Sequence, residues 1–267
     1  MAYRLMAVDI DGTLLDSNGN LTEITKKAIK SGVERGLIFT IASGRPIQGV
    51  EYLNKMLGLD LPFITYNGAM VVMGKSKEIL YEQKLSAKDA KDIIELGEKY
   101  GVTVMVWKEN GLYVTKMDDR VEKYKQISKV EPVLIKDSDI FLKDGVTKML
   151  WYDEVEKIGK LQTEIGGMLS DSVNYHTSRP YFLEFVDKNA SKAIAMERLG
   201  EHYGIKQCEM IAVGDGFNDL SMIEYAGLGV AMENAEEPVK EKADYITLSN
   251  DQDGVAHVIT KFVLTEN

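Results

Sequence analysis

The chain has 267 residues, 45% of them hydrophobic and 28% charged. That is apolar material for a proper core and more length than one ordinary domain needs, which excludes a disordered or fibrous protein and predicts two domains. Its 42 acidic against 32 basic residues leave a net charge of -10, which argues against a nucleic-acid partner, and its single cysteine, Cys208, can form neither an internal disulfide nor a zinc site.

In chain order, the opening stretch YRLMAVDIDGTLLD carries an apolar run, Leu5 to Val8, that is short and soon broken by acids. It reads as a strand, neither signal peptide nor membrane span, and no later run reaches eighteen apolar residues. A cytoplasmic location with no membrane partner is expected. TEITKKAIKSGVERG then places Ile24, Ala28, Ile29 and Val33 at helical spacing. LIFTIA is the next strand, followed by SGRP and a helical PIQGVEYLNKML with Pro46 in its first turn. ITYNGAMVV reads as a hairpin turning on Asn-Gly. From about Lys84 to Lys188 the texture changes. Two longer helical stretches, SAKDAKDIIELGEKYG and DEVEKIGKLQTEIGGML, mix with the strand-like VTVMVW, LYVT, VTKMLWY and YFLEFV. A helix over Ser191 to Tyr203, the run MIAV, a GDGFND loop, a short helix, GLGVAM and a last helix near Gly254 to Phe262 resume the first pattern. Continuous apolar strands alternating with helices predict an α/β fold: a Rossmann-like parallel-sheet core from residues 1–83 and 189–267, with an inserted α+β domain at 84–188.

Three apolar runs of the core end in polar residues and glycine: AVDIDGT at Asp9 and Asp11, TIASGR at Ser43, and AVGDGFND at Asp215 and Asp219. Ligands of open parallel sheets bind at the carboxyl ends of strands, so these loops are expected to meet in one crevice. Asp-x-Asp-Gly alone is equally turn or calcium-loop chemistry, but the calcium loop fails because Thr13, Leu14 and Asn20 stand where a ligand, glycine and glutamate are required. In a strand Asp9 and Asp11 would face one side and repel by about 4 kcal/mol at an effective dielectric near ~20. A cation or a proton must relieve that, and with Asp215 alongside the group becomes an oxygen-rich pocket of the kind Mg²⁺ prefers. Lys192 falls in the first turn of a helix opened by Asn189 or Ser191. It is either an ordinary surface lysine or, if that helix end faces the crevice, part of an anion site. Ser43, Gly44 and Asn218 could approach the same anion, though each also suits a helix cap. The histidines His176, His202 and His257 fall in no motif. A dinucleotide fingerprint fails, since Asp219 and Met232 occupy the third glycine position; a P-loop fails because Ala69 stands five before Gly74.

DIDGTLLD, ASGRP, the later Lys192 and GDGFND together resemble the four signature motifs of the haloacid dehalogenase superfamily, in order and spacing. TYNGA, SRPYFLE and MIEYAGLGVAMENA are similar to its Cof-type branch and to the YidA-like sugar phosphatases within it. The resemblance runs essentially end to end. It implies that Asp9 is the nucleophile, becoming an aspartyl phosphate, and that Asp11 is acid for the leaving alkoxide and base for the hydrolytic water. It implies Mg²⁺ on the carboxylates of Asp9 and Asp215 and the backbone carbonyl of Asp11, with Asp219 as ligand or supporting partner. Ser43, Gly44, Lys192 and Asn218 would hold the phosphoryl group. The insertion would be a cap offering Arg179, Tyr181 and Glu184 to the organic part of a small phosphorylated metabolite, a sugar phosphate by this resemblance; the rival reading makes Tyr181 and Glu184 plain strand residues. Arg45 binds the anion or pairs with a nearby acid, and Asn67 touches substrate or simply starts a tight turn. A phosphotransferase or phosphomutase on the same core is the nearest alternative. A non-enzymatic receiver-like phospho-acceptor would share the acids, hydroxyl and lysine but would need neither a cap nor Asp11. No oligomeric state is specified.

Overall fold

The computed structural model describes residues 3–265. It divides into two compact units, one formed by the chain up to Tyr81 and from Ser191 onward, the other by Glu82–Ala190.

β1 (Leu5–Val8) is buried at all four positions, as a strand covered on both faces must be. α1 (Glu23–Glu34) starts at Thr22, whose hydroxyl accepts the Thr25 N–H, and turns Thr25, Ala28, Ile29 and Gly32 inward. Ile24, placed on the apolar face by its spacing, lies instead on the solvent side at 62% exposure. After β2 (Ile38–Ala42) the stretch read as one helix is broken: a single turn at Ile47–Gly49 gives way to α2 (Tyr52–Leu57). Between them Val50 leaves helical geometry at φ -126° and is fully buried. β3 (Pro62–Thr65) and β4 (Met70–Met73) form the expected antiparallel hairpin, with Thr65 opposite Met70. The loop spans Tyr66 to Ala69 rather than a two-residue Asn-Gly turn, and Tyr66, Asn67 and Gly68 all take positive φ. β5 (Ile79–Glu82) extends the sheet edge.

The second unit holds α3 (Ala87–Tyr100), β6 (Thr103–Lys108), β7 (Gly111–Val114), α4 (Asp119–Ser128), β8 (Pro132–Leu134), α5 (Ser138–Leu142), β9 (Lys148–Tyr152), α6 (Val155–Glu164), β10 (Val173–Arg179) and β11 (Phe182–Asp187). Its six strands run in the order β10-β11-β9-β6-β7-β8, antiparallel apart from the β7–β8 pair. β6 and β7 turn on Glu109 and Asn110, both at positive φ, as a two-residue hairpin of matching twist requires. Ile93 and Ile94 of α3 and Ile158 and Leu161 of α6 pack with Val104, Trp151, Leu183 and Phe185 of the sheet in one apolar cluster.

The chain returns through α7 (Lys192–Tyr203), β12 (Met210–Gly214), α8 (Leu220–Tyr225), β13 (Leu228–Ala231), α9 (Glu237–Lys240), β14 (Tyr245–Ile246) and α10 (Gly254–Ile259). The eight strands of the first unit lie in the order β14-β13-β12-β1-β2-β3-β4-β5. β1 pairs in parallel with β2 on one side and β12 on the other. The chain leaves β1 toward one edge and later builds toward the other, so the carboxyl end of β1 sits at the topological switch point, where open α/β sheets bind ligands. Among the described residues no helix is long and apolar enough to cross a membrane.

Candidate functional site

The site is assembled where β1, β2 and β12 end. β1 stops at Val8; Asp9 remains extended and donates its N–H to the Val213 carbonyl at 3.0 Å, which ties it to β12. The chain then bends, because Gly12 adopts φ +82° in the left-handed region that glycine enters freely. The extended run ends at Asp9, since Ile10 already takes helical dihedrals, so strand alternation does not carry through to Asp11. The Asp9 carboxylate is buried, whereas the Asp11 side chain is 64% exposed and gripped by Arg45.

Lys192 is the first residue of α7, behind the Ser191 hydroxyl that accepts the Ile194 N–H. Far from being a surface lysine, it is 1% exposed. Its Nζ donates to Asp9 Oδ1 at 2.6 Å and Asp219 Oδ1 at 2.5 Å. The other Asp219 oxygen, Oδ2, accepts the backbone N–H groups of Asp215 and Gly216 at 3.1 and 3.0 Å, which shapes the loop after β12. Asp215 is held in turn by the Thr13 hydroxyl, which donates to its Oδ1 at 2.6 Å. Asp9, Asp215 and Asp219 each bring a carboxylate oxygen within 4.8 Å of the others, a group able to hold a metal ion.

The electrostatics match that geometry. Burial pushes the Asp9 carboxyl up to about 7, with the charges of Asp219 and Asp215 adding to the rise and Lys192 opposing it. Burial likewise raises Asp215, helped by Asp219 and Asp11 and opposed by the Thr13 hydrogen bond and Lys192. Although complete burial works to lower it, Asp9 and Asp219 hold the Lys192 ammonium above its ordinary range. Lys192 contacts two of the three grouped carboxylates, and ionising all three leaves an excess of negative charge that a small divalent cation on oxygen ligands would neutralise.

Ser43 is buried just past β2; its N–H donates to the Ile64 carbonyl at 2.8 Å and its Oγ accepts the Arg45 N–H at 3.1 Å. Gly44 lies against Asn67, and an added Cβ would fall 2.9 Å from Asn67 Oδ1. Asn218, exposed, donates its Nδ2 to the same oxygen at 3.4 Å. Asn67 thus joins the loops after β2 and β12 in addition to turning the hairpin. Of the two readings of Arg45, the structure shows the acid pair: its Nη2 meets Asp11 Oδ1 at 2.6 Å and Oδ2 at 2.8 Å, and its Nε meets Oδ2 at 3.1 Å.

Two contacts escape sequence reasoning. Thr13 appears there only as a failed calcium ligand. Asn234, in the MENA stretch, donates Nδ2 to the Gly12 carbonyl at 2.8 Å and so supports the bend from a position far along the chain. In the second unit, Glu184 is buried on β11. Its Oε2 lies 2.6 Å from Lys148 Nζ, its Oε1 accepts the Ser178 hydroxyl at 2.8 Å, and His176 Nε2 lies 3.8 Å away. Exposed Arg179 donates to the Tyr181 hydroxyl at 3.1 Å. His257 shares a 3.0 Å hydrogen bond with the Tyr245 hydroxyl.

Comparison with known proteins gives one family. A family model described as haloacid dehalogenase-like hydrolase matches residues 6–259. YxeH of Bacillus subtilis (strain 168), a protein named as a candidate phosphatase, is 32% identical over 99% of this chain and 100% of its own length. A crystal structure from Thermotoga maritima superposes with a TM-score of 0.87 at 33% identity, covering 99% of this chain and 98% of that one. The structure of a sugar phosphatase of subclass IIB superposes with a TM-score of 0.77 at 27% identity, over 97% of this chain and 98% of that one.

Proposed function

The chain belongs to the haloacid dehalogenase-like hydrolases and is a phosphoric monoester hydrolase, and from that premise we propose that it is a Mg²⁺-dependent phosphatase of small phosphorylated metabolites, sugar phosphates foremost. The observation that carries this reading is the buried contact of Lys192 with Asp9 and Asp219 beside Asp215. A lysine is not buried among acids to stabilise a fold cheaply, and the carboxylates that remain uncompensated fit a hard divalent cation. The sugar-phosphate preference is supported by the subclass IIB relative.

In this reading Asp9 attacks phosphorus, and Asp11 gives a proton to the departing sugar oxygen, a poor leaving group that needs one. Water then attacks the aspartyl phosphate with Asp11 as base, releasing phosphate and restoring Asp9. Lys192, Ser43, Gly44 and Asn218 bind the phosphoryl group and its developing charge. Asp9 and Asp215, with the Asp11 carbonyl, would hold Mg²⁺, and Asp219 would orient Lys192 and the loop that carries Asp215. Bound there, Mg²⁺ would neutralise charge between the carboxylates and the phosphoryl oxygens. The inserted domain, residues 84–188, selects the organic part of the substrate. Arg179 and Tyr181 remain candidates for that contact, while Glu184 is committed to Lys148 and serves the fold.

The test is phosphate release from p-nitrophenyl phosphate and a panel of sugar phosphates in EDTA and after Mg²⁺ is restored. Activity should vanish with the chelator and return with the metal; undiminished turnover in EDTA contradicts the reading. Asp11→Asn should lose most on the sugar esters and least on p-nitrophenyl phosphate, whose leaving group needs no proton, and equal losses would count against the acid role.

Gly12→Ala tests the metal site separately. A Cβ there would fall 2.3 Å from Asp215 Oδ2 on a backbone at φ +82°. Asp215 or the bend must therefore shift. The concentration of Mg²⁺ giving half-maximal activity should rise roughly 10- to 100-fold. An unchanged metal dependence would place the cation away from Asp215.

A further inference from the structure

The Arg45–Asp11 pair is unlike an ordinary surface ion pair. Exposed pairs usually contribute little, because two long side chains must be ordered for one screened contact. Here only the guanidinium is long, and its backbone is already fixed: the Arg45 N–H donates to Ser43 Oγ at 3.1 Å and its carbonyl accepts the Tyr66 N–H at 3.2 Å. Pro46 restricts the residue before it. The planar fork then takes both oxygens of Asp11 in three contacts between 2.6 and 3.1 Å, an arrangement that a point charge cannot copy. A carboxylate that is 64% exposed would otherwise move among its rotamers. Each carboxylate oxygen has two lone-pair directions; Oδ2 accepts twice from Arg45 and Oδ1 only once, so Oδ1 keeps a direction from which to take a proton.

We propose that Arg45 is a positioning residue for the second half of the reaction, holding the Asp11 carboxylate in the orientation from which it takes a proton from the water attacking the aspartyl phosphate. In that step a water O–P bond forms and the bond from phosphorus to the Asp9 oxygen breaks. One water proton passes to Asp11; inorganic phosphate leaves and Asp9 is again a carboxylate. The inference rests on the covalent reading of Asp9 and on Asp11 as base, and it separates Arg45 from the residues that bind the phosphoryl group.

Rapid mixing of the full-length protein with p-nitrophenyl phosphate and Mg²⁺ tests it, since that ester phosphorylates Asp9 without help from an acid. Arg45→Ala should keep the rate of the initial p-nitrophenolate burst while the steady state falls about 10- to 100-fold, with phosphorylated Asp9 accumulating and KM not increased. Arg45→Lys, a charge without the fork, should recover only part of the steady-state rate, and Arg45→Gln gives the same reading should the alanine variant fold poorly. A raised KM with weaker inhibition by inorganic phosphate and no build-up of phosphorylated protein would overturn the proposal and make Arg45 a phosphate ligand. Unchanged kinetics would overturn it as well. If Asp9→Asn keeps full turnover, the covalent reading itself has failed.

Discussion

Asp9→Asn should release phosphate at least about a thousand-fold more slowly than the parent protein while remaining folded, because an amide of the same shape cannot act as the nucleophile. The structure lets chemistry and stability be separated at this position. Asn Oδ1 can still accept from Lys192, which keeps its second partner in Asp219 at 2.5 Å. The substitution also removes a charge from a place where burial and two neighbouring carboxylates push the Asp9 carboxyl up to about 7. A carboxyl raised that far costs the fold stability at neutral pH, where the unfolded chain ionises it, so an uncharged Asn should hold the thermal midpoint or raise it. Phosphatase kinetics and a thermal melt check the two halves together. A folded variant with undiminished turnover on p-nitrophenyl phosphate would remove Asp9 from the reaction.

The opposite balance is expected for Lys192→Met. The side chain is fully buried, and its removal strands two carboxylates that it now contacts at 2.6 and 2.5 Å. Breaking a buried pair from one side costs about 3–5 kcal/mol, because the remaining charges lose their compensation and cannot reach water. Denaturant unfolding in EDTA should show that loss, and Mg²⁺ should recover part of it by supplying another positive charge. Adding Asp219→Asn should make Lys192→Met less damaging, since one stranded charge then disappears; additive losses would show that the two side chains do not act as a unit. Turnover should fall about 100-fold even in Mg²⁺, as removal of one preorganised donor to a developing charge commonly does.

Much of the site was legible because its chemistry demands particular residue types at strand ends. Asp9, Ser43, Asp215 and Asp219 could be placed from the apolar runs before them, and Lys192 from the start of its helix. The partners that finish the site were not, since nothing local marks them. Thr13 reaches Asp215, 202 positions away, and Asn234 reaches Gly12 across 222. Arg45 lies beside Asp11 only once β2 has paired with β1. The same holds for Lys148, whose ion pair with the buried Glu184 joins β9 to β11.

Among the secondary elements, α4 was missed because its sequence DRVEKYKQIS offers only Val121, Tyr124 and Ser128 to the interior, too thin an apolar stripe to announce a helix. β10 was missed although VNYHTS alternates, since only Val173 and Tyr175 of its inward positions join the apolar cluster. Strand periodicity ends at Asp9, because Ile10 already takes helical dihedrals, and so it carries no information on the side that Asp11 takes. Gly12 was visible, but where the strand stopped was not.

The account stands most directly on the phosphorylated state of Asp9. Acid quenching during turnover of p-nitrophenyl phosphate with Mg²⁺, followed by digestion and mass spectrometry, should find one phosphoryl group on the peptide containing Asp9, in larger amount for Arg45→Ala and none for Asp9→Asn. Rapid turnover with no phosphorylated peptide at any quench time, or a phosphoryl group on another residue, would contradict it.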